Sequence, residues 1–158
     1  MLLAITALGG DQARTTTTNE NIRASDTFAF YQAKNIRQTV YQVSAQDLQA
    51  LSLTSTAPVS AAIQKTIARY TAMAAHLEDD PTGAGKKQLL EEAHCHEVAR
   101  DCAERREPHF NDAQALVQIA IVLGSVSIVA ASRALLLASV ALGAVATLLM
   151  VNGYLLLV

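Results

Sequence analysis

The chain has 158 residues, of which 51% are hydrophobic and 16% are charged, and its formal net charge is −2. Because Lys and Arg are interspersed with acidic residues, the sequence lacks the clustered basic footprint of a nucleic-acid-binding protein, and we expect no nucleic-acid partner. Aromatic residues make up 4% and Trp is absent, which argues against a conventional globule with a thick core.

The first ten residues are apolar, but a membrane span needs roughly 20 apolar residues, so this segment is too short to cross a bilayer. It also lacks the basic start and the cleavage site of a secretory signal. We therefore interpret residues 1–10 as either a truncated span or a short interfacial anchor. Residues 11–24, with a run of four threonines, are predicted to form a polar connector.

Residues 25–110 are predicted to form a soluble helical arm with three helices, at about 25–53, 59–78 and 86–107. Ser25 and Asp26 are favourable N-cap residues for the first helix. Pro58 separates the first helix from the second, and residues 78–85 have the composition of a turn. Pro108 predicts a kink or a short break before the membrane.

Apolar residues recur in the arm at alternating steps of three and four, which is the spacing of paired helices. We expect these stripes to pair antiparallel helices, either within one chain or between copies. The first stripe comprises Ala29, Ala33, Ile36, Val40 and Val43. The second stripe includes Ile63, Ile67, Tyr70 and Leu77.

Residues 113–158 are almost uncharged, since Arg133 is the single residue with a full charge. This length accommodates two transmembrane helices, at about 115–131 and 134–151, with Arg133 at the hairpin tip where it reaches the headgroups. Small residues at helical spacing predict close packing of the two helices in lipid. They are Ala120, Gly124 and Ser127 in the first helix, and Ser139, Gly143 and Thr147 in the second.

The predicted fold is therefore an all-α membrane protein, with a helical, partly coiled-coil-like arm and a C-terminal transmembrane helical hairpin. Arg100, Arg105 and Arg106 flank the hairpin on the side of the arm, whereas Arg133 stands alone at the tip. The positive-inside rule then predicts a cytoplasmic arm.

One His/Cys cluster was weighed as a metal or redox site: His94, Cys95, His96 and Cys102. On a helix, Cys95 and Cys102 would share a face but lie about 10 Å apart, beyond the reach of a disulfide. His94 and His96 would point about 200° apart, so they cannot hold one metal together. We expect no metal and no cofactor, although a metal shared between two copies stays open as an alternative.

Three blocks resemble a bacterial membrane-protein family of unknown function. The first runs Ser-Asp-Thr-Phe-Ala-Phe-Tyr-Gln-Ala-Lys over residues 25–34, the second covers residues 109–123, and the third is residues 151–153. The resemblance implies an N-terminal span, a helical arm and a C-terminal two-helix hairpin in the bacterial inner (cytoplasmic) membrane. This chain departs from that pattern at its start, where a full first span is missing. The family supplies no chemistry to transfer.

The leading functional hypothesis is a non-catalytic structural or interaction protein of the inner membrane, held by the lipid bilayer and pairing through its arm with itself. We predict no catalytic residue. The first alternative is an accessory transmembrane subunit of a larger respiratory or photosynthetic complex. The second is a metal- or redox-responsive membrane protein that uses the His94-Cys95-His96/Cys102 segment.

Overall fold

The protein is described by a computed structural model that covers residues 1–80, 82 and 85–156. Within these residues the chain forms four α-helices and no strand, which confirms the all-α prediction. The helices are α1 (Leu2–Ser52), α2 (Ala57–Glu78), α3 (Lys86–Val129) and α4 (Arg133–Leu155). The predicted turn at 78–85 falls partly on residues 81, 83 and 84, and the predicted hairpin ends on 157 and 158; these five positions lie outside the described residues.

The helices form two compact units. One unit, called here the hairpin unit, comprises Met1–Asn21 and Glu97–Val158. The other, called the arm unit, comprises Ile22–His96. Each unit has its own buried residues, and each is described separately below.

The prediction of a connector at residues 11–24 is wrong, because α1 is helical throughout this segment. The hydroxyls of Thr17 and Thr18 donate to the carbonyl oxygens of Ala13 and Arg14, each at 3.0 Å. These side chains therefore bond to the preceding helical turn and do not pull the backbone out of the helix. Ala13 and Ala24 are buried, so packing also holds this part of α1.

The predicted break at Pro108 is also absent, because α3 continues through Pro108 to Val129. A proline inside a helix removes one backbone hydrogen bond and costs roughly 3 kcal/mol. The residues that follow it are deeply buried: Phe110 is 2% exposed and Ala113 is 0% exposed. Their packing offsets the cost of the proline and keeps the backbone helical.

The hairpin turn lies close to its predicted place, since α3 ends at Val129 and α4 begins at Arg133. Ala131 adopts a left-handed conformation with φ 49° in the turn. The predicted end of the second span at 151 is wrong for the helix, which continues to Leu155. Gly153 packs there against Phe110, and an added Cβ at Gly153 would lie 3.2 Å from the ring, so tertiary packing extends α4 past the glycine.

In the arm unit, α1 buries a stripe of small and polar residues. The fully buried members recur at helical spacing: Ala24, Thr27, Gln38, Ala45 and Ser52. Half-buried residues fill the intervening positions of the same stripe: Tyr31, Lys34, Tyr41 and Leu48. Their steps of three and four are those of paired helices. Tyr41 contacts Tyr70 of α2 with ring centroids 5.5 Å apart, so this stripe forms the core of the arm unit.

Candidate interaction surface

The first predicted stripe lies on the exposed face of α1. The α1 stripe, defined as Ala29, Ala33, Ile36, Val40 and Val43, is exposed at every position. Ile36 is 64% exposed, Val40 is 57% exposed and Val43 is 48% exposed. Because residues two positions apart point about 200° apart on a helix, this stripe is opposite the buried stripe that contains Gln38. The α1 stripe therefore does not pair helices within the chain, and pairing between copies stays a prediction.

Neighbouring residues extend this exposed apolar surface. Ile22, Phe30 and Leu51 are 53%, 66% and 54% exposed, respectively. The surface spans about 40 Å along α1, at 1.5 Å for each residue. Two exposed carboxylates, Asp26 and Asp47, occupy stripe positions near its ends. Contiguous apolar surfaces of this kind mark interaction sites in folded proteins.

The second predicted stripe faces the interior of the arm unit. Ile63 is buried, and Ile67, Tyr70 and Leu77 are half-buried on the same face of α2. One apolar face of the arm is thus used within the chain, and the α1 stripe is left to solvent.

A polar network joins the three helices of the arm unit. The ammonium of Lys86 donates to Gln38 Oε1 at 2.7 Å and to Glu78 Oε2 at 3.1 Å. The amide of Gln38 donates to Glu78 Oε2 at 3.0 Å and to the carbonyl oxygen of Ala74 at 3.1 Å. Lys86 also lies 5.5 Å from the centroid of the Tyr31 ring. Each partner comes from a different helix, so the network fixes the alignment of α1, α2 and α3.

The sequence analysis did not identify this network. One signal was present, because Tyr31, Gln38 and Tyr41 follow each other at steps of seven and three. A Gln at a seam position between two tyrosines requires a hydrogen-bond partner when it is buried. Nothing in the sequence pairs it with Lys86, which is 48 residues away.

The network stabilises the charged form of Glu78. The hydrogen bond from Gln38 lowers the pKa of this carboxyl below its ordinary value of 4.5, and the hydrogen bond from Lys86 lowers the pKa further. The Glu78 side chain is 40% exposed, so water screens part of this effect, whereas the Lys86 side chain is 11% exposed. The arrangement is a structural lock between charged and polar groups, with no nucleophile among its members.

The stability of the arm unit is expected to depend on pH through Glu78. Because the pKa is lower in the folded state, the ionised carboxyl stabilises the fold above pH 4.5, and this contribution is lost as the pH falls through the lowered value. We compare thermal unfolding of the wild type and of Glu78→Gln. The stability difference should be constant from pH 7 to about 5 and shrink at lower pH. A difference that stays unchanged down to pH 3 would contradict this assignment.

The His/Cys cluster does not assemble into a metal site. The His94 ring contacts the Phe28 ring edge-on, with centroids 6.3 Å apart. His96 Nε2 lies 3.9 Å from Glu92 Oε1, and the Cys95 and Cys102 thiols are free and exposed. Within the described part of the chain, no three His, Cys, Asp or Glu side chains converge to hold a metal ion.

The small residues of the hairpin unit have two different environments. The Ser139 hydroxyl donates to the carbonyl oxygen of Ala120 at 2.7 Å and joins α4 to α3. A Cβ at Gly124 would lie 3.1 Å from the same hydroxyl, whereas a Cβ at Gly143 would meet no described atom within 4 Å. Ser127 is buried, and Thr147 donates to the carbonyl oxygen of Gly143 within α4 at 2.8 Å. Four of the six predicted packing residues therefore lie at or beside the contact between the helices: Ala120, Gly124, Ser127 and Ser139.

Two helices, α3 and α4, are long and apolar enough to cross a membrane. Their apolar side chains face outward near the turn and along α4: Val129 is 90% exposed, and Leu137 and Leu148 are each 70% exposed.

The comparisons with known proteins identify a family but no activity. No curated protein matches the chain, and no solved structure matches it. A family model described as "Domain of unknown function (DUF4337)" matches residues 1–156. Because the match covers nearly the whole sequence, the chain belongs to the DUF4337 family.

Proposed function

We propose that the chain is a non-catalytic interaction protein of the bacterial inner membrane. The C-terminal hairpin anchors it in the bilayer, the arm lies in the cytoplasm, and the α1 stripe binds a second copy. The observation that carries this proposal is the exposure of the α1 stripe on the face of α1 opposite the buried stripe.

The outward-facing apolar side chains of the hairpin support membrane insertion. Exposure of apolar surface to water costs about 25 cal/mol for each Å², and side chains such as Val129 and Leu137 are largely exposed. Lipid tails would cover these side chains without any further protein. The Ser139–Ala120 hydrogen bond keeps the serine hydroxyl satisfied between the helices, as a polar group in lipid requires.

The distribution of arginine supports the proposed orientation. Arg100, Arg105 and Arg106 precede the apolar part of α3, and Arg133 alone begins α4. Positively charged flanks favour the cytoplasmic side of the membrane. The arm-side end of the hairpin is therefore assigned to the cytoplasm.

The two faces of α1 support pairing of the arm. One face packs inside the arm unit through Gln38 and its neighbours. The opposite face repeats apolar residues at the same steps of three and four, which is the pattern that a second helix recognises. A helix with apolar stripes on both faces is suited to lie between two neighbours.

Replacing Ile36 with Glu is expected to weaken pairing at least about tenfold, which corresponds to about 1.4 kcal/mol. The new carboxylate would have to be buried without a partner at the centre of the stripe, and this is costly. The measurement is the amount of a second, differently tagged copy that co-purifies from membranes in mild detergent. Both copies carry the substitution.

The matched control is Asn35→Glu, which adds the same charge at an exposed position one residue away. This side chain points about 100° away from Ile36, so pairing should stay at the wild-type level. Equal loss in both variants, or no loss in either, would refute the α1 stripe as the pairing surface. Loss of a different protein present at a fixed ratio would instead make the chain an accessory subunit of a larger complex.

A further inference from the structure

The stripe positions on α1 distinguish a parallel pair from an antiparallel one. With the two carboxylates included, the exposed stripe reads Ile22, Asp26, Ala29, Ala33, Ile36, Val40, Val43 and Asp47. All eight residues are exposed, and their steps alternate between four and three. In helix pairs of this spacing, the residues at these positions meet those of the partner in successive layers.

A parallel pair in register would place every residue opposite itself. Asp26 and Asp47 would then each face an identical carboxylate within an apolar seam, where like charges repel strongly. Ala29 and Ala33 would each face an alanine, which leaves two thin layers beside the wide layers of Ile36 and Val40. Uneven layers of this kind pack poorly.

An antiparallel pair removes both problems in one register. With the twofold axis between residues 34 and 35, Ala33 lies opposite the partner's Ile36. Ala29 lies opposite the partner's Val40. Each central layer then joins one alanine to one β-branched residue, so the layers have equal volume and fill the seam evenly.

The same register places the charged residues next to suitable partners. Asp47 lies opposite the partner's Ile22 and beside the partner's Arg23, so a carboxylate meets a guanidinium at each end of the pair. Phe30 and Arg37 lie on the same edge of the stripe, and the partner's Arg37 comes to the Phe30 ring, a favourable cation–π arrangement. Asp26 lies beside the partner's Ser44, whose hydroxyl can donate a hydrogen bond.

We infer that the α1 stripe binds the same stripe of a second copy in antiparallel orientation, with the twofold axis between residues 34 and 35. This inference rests on the proposed function and adds the geometry of the pair. The carboxylates within the stripe favour a second copy over an anionic lipid surface, which attracts basic segments. The complementary layers and charges both come from the stripe itself.

Cysteine cross-linking in native membranes tests the orientation. The exposed thiols are first removed by Cys95→Ser and Cys102→Ser in the full chain. Ala29→Cys and Val40→Cys are then introduced into two differently tagged copies, which are co-expressed and mildly oxidised. A matched copy carrying Asn35→Cys reports random collisions, because this position is exposed and lies off the stripe.

The expected result is a mixed disulfide between the Ala29→Cys and Val40→Cys copies, at least about tenfold more abundant than either self-linked product. In the antiparallel register two copies of position 29 lie about 16 Å apart along the axis, which is too far for a bond. Self-linked products without the mixed one would show a parallel pair, which overturns this inference and leaves the proposed function intact.

Co-purifying copies without any of these disulfides would also overturn the antiparallel register and leave pairing in place. Failure of the Cys-free copies to co-purify would overturn both this inference and the proposed function. Co-purification of the Ala29→Cys and Val40→Cys copies at the level of the Cys-free chain serves as the folding control.

Discussion

Replacing Gly9 with alanine is expected to destabilise the hairpin unit by about 1–3 kcal/mol, the usual cost of overpacking a well-packed core. A Cβ at this position would lie 2.6 Å from Cε1 of the Phe110 ring, and real Cβ atoms do not approach other atoms so closely. The contact is with a rigid ring and not with the end of a flexible side chain. Either the ring or the α1 backbone must move.

The surroundings of Phe110 leave the ring little room to move. The residue is 2% exposed. A Cβ at Gly10 would lie 3.4 Å from Phe110 Cβ, and one at Gly153 would lie 3.2 Å from the ring. The Tyr154 ring packs edge-on at a centroid distance of 4.9 Å. Phe110 therefore occupies a space that three glycines on two other helices leave open.

Thermal unfolding of the full chain in mild detergent measures this effect. Gly143→Ala is the matched control, since an added Cβ there meets no described atom within 4 Å. Alanine favours a helix over glycine by up to about 1 kcal/mol, so the control should be as stable as the wild type or more stable. The packing assignment fails if Gly9→Ala melts at the temperature of Gly143→Ala. Phe110→Leu in the Gly9→Ala background should recover part of the loss.

Replacing Lys86 with methionine is expected to destabilise the arm unit by about 1–3 kcal/mol. The substitution keeps most of the side-chain volume but removes the donor to Gln38 and Glu78. A buried acceptor left without a donor costs about 1–3 kcal/mol. Breaking a fully buried ion pair costs roughly 3–5 kcal/mol, but the Glu78 side chain is 40% exposed and recovers hydration, so the smaller range applies.

The neighbouring lysine provides the control. Lys87 Nζ lies 3.4 Å from Asp79 Oδ2, and the two side chains are 62% and 58% exposed. Exposed ion pairs contribute between about 0 and 1 kcal/mol, so Lys87→Met should have little effect. Chemical unfolding of both variants measures the difference. Equal losses would show that the buried network contributes no more than a surface ion pair.

The hairpin was predictable from the sequence because long apolar composition is a local property. The run of residues after Asp112 is nearly uncharged, and Arg133 interrupts it where the turn lies. The approximate place of α2 followed from Pro58 at its start and from the turn composition at its end. These signals depend little on which neighbours the chain packs against.

The buried face of α1 was not predictable from apolarity. Its fully buried residues include Thr27, Gln38 and Ser52, which hydropathy assigns to solvent. Small side chains let helices approach closely, and Gln38 is satisfied only by Lys86, Glu78 and Ala74 from other helices. The larger apolar residues of the α1 stripe produced the stronger signal and are exposed. Which face of a helix is buried depends on its neighbours, and the sequence pattern of one helix does not contain them.

The continuity of α1 and α3 was missed for a similar reason. A threonine run and an internal proline both weaken a helix locally. In α1 the hydroxyls bond to the preceding turn, and in α3 the burial of Phe110 and Ala113 follows the proline directly. Tertiary packing thus overrides local propensity at both places.

Purification of the tagged full chain from its native membrane in mild detergent, followed by mass spectrometry of what accompanies it, tests the proposed function most directly. The expected result is that the chain leaves the membrane only with detergent and that a second copy accompanies it at a fixed ratio. A chain recovered without detergent, or recovered from the membrane as a monomer with no partner, would contradict the proposal of a membrane-anchored pairing protein.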